Sequence, residues 1–85
     1  MVNANISAGR ILFDEGFELY PDQYVLLGYV EEEEGNVISG VPVAVANRED
    51  RNDMWKLFLK CFMEKTHGDV DLNYFGDVES SGVYL

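Results

Sequence analysis

The 85-residue sequence predicts an α+β fold: a small antiparallel sheet in β-β-α-β order, covered on one face by one amphipathic helix. Three observations carry this. Two short segments dense in valine, leucine and tyrosine, 23–30 and 37–46, flank an acidic turn. A helical apolar stripe follows over 50–66, and an alternating segment over 70–75 follows that. A chain of this length buries only about 60 to 65% of its unfolded surface, which supports one core and one domain over 1–85, with residues 1–9 as a loose lead-in.

Taken in order, 10–20 ("RILFDEGFELY") reads as a helix interrupted at Gly16, with a strand as the alternative, and Pro21-Asp22 ends it, because proline disfavours helical geometry in the preceding residue. "QYVLLGYV" reads as a buried strand with Gly28 as a bulge. "VISGVPVAVA" reads as its hairpin partner. Pro42 donates no amide hydrogen bond, so either this strand is an edge or its paired part begins near Pro42. The connection "EEEEGN" is too long to specify a turn type.

Asn47 or Asp50 can cap the helix, Glu49, Asp50 and Asp53 suit its first turns, and Gly68 follows its end. Its stripe is expected to meet the sheet through Trp55, Phe58, Leu59 and Phe62. Residues Leu72 to Phe75 and Val83 to Leu85 complete the sheet as short strands. The opposite sheet face is then solvated, covered by 10–20, or paired with another copy.

Charge narrows the partners. The formal net charge is -10. Five of the six basic residues (Arg48, Arg51, Lys56, Lys60, Lys65) lie between 48 and 65 against four acids, a local +1, while Arg10 alone faces the other twelve acids. Such a field repels phosphate backbones and anionic lipid, so direct nucleic-acid or membrane binding is not expected, and basic protein partners are favoured. No apolar run approaches the roughly 20 residues that cross a bilayer, and Cys61 is the sole cysteine, which suits a reducing, cytoplasmic setting.

Each candidate site has a simpler explanation. Glu31, Glu32, Glu33 and Glu34 could bind a divalent cation weakly, but neighbours in extended chain point to alternate sides and do not converge, so a solvated hairpin tip explains them better. Asp69, Asp71 and Asn73 match the first three ligands of a calcium loop. Tyr74 and Ser80 then stand where glycine and glutamate are required. Cys61 and His67 sit about 240° apart on one helix and do not form a nucleophile and base. No glycine motif cradles a phosphate. Trp55, Phe58 and Phe62 at helical spacing read as core.

The run "YPDQYVLL", then "NVISGVPVAVANREDRNDMWKLF" and "LNYFGDVESSGVYL", resembles a group of small uncharacterised bacterial proteins with a "YPDQWVLL"-type opening strand, a hairpin, a helix and a C-terminal strand. The resemblance spans 20–85, with Tyr24 in place of the usual tryptophan. It implies a β-β-α-β sheet with one helix, and no established activity. The functional expectation is a non-enzymatic protein-binding or regulatory module without cofactor or metal, with the second sheet face or an edge strand available for pairing as a homodimer. Glu31 to Glu34, Asp69 and Asp71 are its candidate interaction surface. The alternatives are an acidic decoy of a nucleic-acid-binding protein and a weak divalent-cation binder.

Overall fold

The computed structural model describes residues 2–3 and 9–76. The strand expected at Val83 to Leu85 and most of the 1–9 lead-in lie outside these. The elements run β1 (Ile11–Leu12), a 3-10 turn (Phe13–Glu15), α1 (Gly16–Leu19), β2 (Gln23–Glu33), β3 (Asn36–Asn47), a 3-10 turn (Arg48–Asp50), α2 (Arg51–Glu64) and β4 (Asp71–Tyr74). They form an antiparallel sheet of order β1-β3-β2-β4. The α+β class is therefore as expected, with a short strand and helix added before the hairpin.

Segment 10–20 is mixed rather than one helix. Ile11 and Leu12 pair with Gly40 and Ser39 at the outer edge of β3, and only then does the chain turn helical. Glu15 starts that turn by accepting a hydrogen bond from the Leu12 N–H at 2.7 Å, occupying a donor that a helix start leaves orphaned. Asn3, within the expected lead-in, also joins β3, exchanging backbone bonds of 2.7 and 2.9 Å with Val45.

Four consecutive residues of β2, Val25 to Gly28, are buried, which requires cover on both faces of the sheet. On one face, Leu26, Ala44 and Ala46 pack against Met54 and Cys61 of α2. On the other, Val25, Leu27, Val45 and Ile11 pack with Phe75, with Phe13 and Tyr20 at the margin. Phe75 is the keystone of that second layer: its ring contacts Phe13 and Phe17 at centroid distances of 5.3 and 5.0 Å. Its backbone bonds to Asp22 and Gln23 hold it there. Of the three possibilities for the opposite sheet face, cover by 10–20 is the one found.

The hairpin differs from expectation in its connection. The strands continue through the acidic run to the Glu33/Asn36 pair, leaving Glu34-Gly35 as a two-residue turn. Both have positive φ, 55° and 82°, as the type I′ turn requires. β3 is also neither an edge strand nor unpaired before Pro42. It lies between β1 and β2 and is paired from Asn36 onward. Proline is tolerated there because Val43 is an extra residue between the Leu26/Ala44 and Leu27/Pro42 pairs, a bulge beside Pro42. A second bulge falls at Tyr29 and Val30, just after Gly28, where β2 turns its amides to His67 and Asp69.

Helix α2 stops at Glu64, short of the expected Thr66, with Lys65 left-handed at φ 54° and its N–H bonded to the Cys61 carbonyl at 2.8 Å. Neither Asn47 nor Asp50 caps a helix start through its side chain. The expected docking stripe is corrected as well. Met54 and Cys61 are buried, Leu57 and Phe58 half-buried, while Trp55, Leu59 and Phe62 are exposed. Ala44 and Ala46 bring the sheet surface close to the helix axis, where slim Met54 and Cys61 fit and large rings do not.

Candidate interaction site

At about 100° per residue, and with Met54 set at zero, Leu57, Cys61 and Phe58 fall at about 300°, 340° and 40°, the docked arc of α2. Phe62, Trp55, Leu59 and Met63 follow at about 80°, 100°, 140° and 180°. The apolar surface of α2 is thus wider than one sheet contact can cover, and its second arc faces outward. Trp55, Leu59, Phe62 and Met63 retain 52%, 39%, 54% and 79% of their accessible surface, enough to leave an apolar flank.

The flank is ordered by its own rings. Trp55 and Phe58 lie 5.3 Å apart between centroids, and Phe58 and Phe62 stack at 6.0 Å. Half-buried Phe58 links the ladder to the core. Lys65 Nζ sits 5.7 Å from the Phe62 ring centre at the C-terminal end. Periodicity located this helix and its apolar residues but read the ladder as core. The signal that separates them is the excess of apolar positions: eight apolar residues in a 14-residue helix exceed one docked stripe.

The acidic candidates do not converge into one site. Glu31 is held by Ser39, whose hydroxyl donates to its carboxylate at 2.9 Å, and faces Arg10 at 3.7 Å. Glu32, Glu33 and Glu34 are exposed along the hairpin end. The Asp69 carbonyl accepts from the Val30 N–H at 3.1 Å, which sets its backbone beside the base of the run. Asp71 lies apart, in β4 opposite Leu27, accepting from its own neighbour Asn73 at 3.1 Å. Asp69 and Asp71 thus split between a loop and a strand, and no three acidic, histidine or cysteine side chains converge to hold a metal among the described residues.

Cys61 packs into the α2 side of the core, whereas the His67 ring contacts Tyr29 and shares a hydrogen bond with Thr66 at 3.0 Å. The two engage different surroundings. Among the described residues, no helix is long and apolar enough to cross a membrane.

No protein-family model matches the chain, and no curated protein or solved structure matches it either. The functional reading therefore rests on this geometry.

Proposed function

We propose that the chain is a non-catalytic protein-binding module that self-associates, two copies packing antiparallel along the outer flank of α2. The observation that supports it is the exposure of Trp55, Leu59, Phe62 and Met63 on one flank of one helix. Trp55, Leu59 and Phe62 are spaced four then three residues apart, the spacing of a two-helix seam. A two-fold axis at Leu59 sets Trp55 of one copy against Met63 of the other. Each copy then presents the same patch to the other, as a two-fold contact requires.

Charge favours the same surface. A molecule of net charge -10 repels its copy over most of its surface, and the α2 segment, locally +1, is where that repulsion is weakest. The sheet face expected to pair with another copy is occupied by Phe13, Tyr20 and Phe75, which favours the helix flank over that face.

Leu59→Cys in a Cys61→Ala background tests the arrangement through oxidative cross-linking. A cysteine on the axis meets its own copy, so Leu59→Cys should cross-link readily and Met63→Cys, set against Trp55, poorly. Equal or absent cross-linking at the two positions would reject the seam.

A second reading, an acidic decoy for a nucleic-acid-binding protein, is favoured by the exposed carboxylates of Glu32 to Glu34 beyond the Ser39 and Arg10 anchor. Salt-sensitive capture of a basic protein, lost when these three become glutamine, is its test.

A further inference from the structure

Between the first turns of α2 and the β2–β4 side of the sheet lies a cavity of about 420 Å³, lined by Tyr24, Arg51, Asn52, Trp55 and Leu72. That volume is in the range of small-molecule sites, and the lining sets two rings and a leucine beside a guanidinium and an amide. Trp55, Tyr24 and Leu72 supply the walls. Tyr24 is backed by Tyr74 at a centroid distance of 4.8 Å, and the Arg48 guanidinium lies 5.9 Å from the Tyr74 ring centre.

None of the lining side chains is anionic. Arg51 presents a guanidinium and Asn52 an amide, and in a chain with sixteen acids none lines this cavity. Arg51 makes no ion pair with an acid among the described residues. Asp53 falls about 160° around the helix from Trp55, and Asp50 adjoins Arg51 as the residue before the helix.

We infer that this cavity binds a small aromatic carboxylate, the ring lying against Trp55 and Tyr24 and the carboxylate meeting Arg51 and Asn52. A planar guanidinium pairs with a carboxylate through two parallel hydrogen bonds, and a flat apolar body matches ring walls better than a branched one. This is a site within one chain, adjoining the seam at Leu59 through Trp55.

The single tryptophan makes the test direct, since its indole N–H gives one resonance. Phenylacetate is titrated beside neutral phenylacetamide, cationic phenethylammonium and inorganic phosphate. Phenylacetate should shift the Trp55 signal saturably, with the neutral and cationic probes at least tenfold weaker, and Arg51→Gln should weaken phenylacetate at least tenfold. The same titration on Lys60→Gln, a cation lost on the other side of α2, should be unchanged. No saturable shift, equal response to the three organic probes, a response to phosphate without one to phenylacetate, or loss of binding in Lys60→Gln would each overturn the proposal.

Discussion

Arg10 donates through Nη2 to the backbone carbonyl of Tyr29 at 2.8 Å, tying the chain just before β1 to the bulge in β2. Its Nη1 donates to the Ser39 hydroxyl at 3.0 Å, and Ser39 in turn donates to Glu31. Ser39 is the one buried polar side chain among the described residues, so this network fills its hydrogen-bonding capacity. The lone basic residue outside 48–65 therefore has a structural task, fastening three segments at a point where the strand pairing is irregular.

Because Arg10 and Glu31 are largely exposed, their ion pair contributes little, and the hydrogen bonds from Arg10 matter more. Arg10→Met should lower unfolding stability by about 1 kcal/mol. Glu31→Gln, which can still accept from Ser39, should cost less than half of that. Urea denaturation of the two variants checks the order.

Glu34 stands in left-handed geometry at φ 55°, where a side chain other than asparagine or glycine is disfavoured. Glu34→Asn creates the Asn-Gly pair that this turn prefers, and should raise stability by on the order of 1 kcal/mol. Thermal melts read it. A destabilised variant would show that the turn lies elsewhere in the acidic run.

The Phe75 ring packs directly on Gly16, leaving no room for a Cβ there. Gly16→Ala should therefore destabilise the fold although alanine is the better helix former, by about 1 to 3 kcal/mol of overpacking. Phe75→Ala, which empties the second layer, should cost about 3 to 5 kcal/mol, a large part of what a domain of this size has. Combining the two should cost less than their sum, since the clash disappears with the ring. Denaturation of the three variants checks the non-additivity.

The two arcs of α2 should separate in the same assay. Met54→Ala removes a fully buried side chain and should cost about 2 to 5 kcal/mol, whereas Met63→Ala, at 79% exposure, should stay within about 0.5 kcal/mol at low protein concentration.

The hairpin, α2 and β4 were legible in the sequence, because period two and period 3.6 follow directly from which side chains face the core. What escaped depended on tertiary packing. Which arc of α2 docks was ambiguous because its apolar surface spans both, and only Ala44 and Ala46 opposite select the slimmer residues. Pro42 pointed to an edge strand because the Val43 bulge that accommodates it has no local signature. The cover over the second sheet face comes from Phe13 and Phe75, more than sixty residues apart, a pairing that no local pattern carries. The acidic run was legible as water-facing, but its place in strand, with Glu31 anchored to Ser39, was not.

The central claim, that the outer flank of α2 is a self-association seam, is tested most directly by sedimentation equilibrium over a wide concentration range, comparing the wild-type chain with Leu59→Glu. A short helix seam predicts a reversible monomer–dimer equilibrium for the wild-type chain and a monomer throughout for Leu59→Glu, with the circular dichroism of the two alike. A wild-type chain that stays monomeric at every concentration, or a dimer that Leu59→Glu leaves intact, would contradict it.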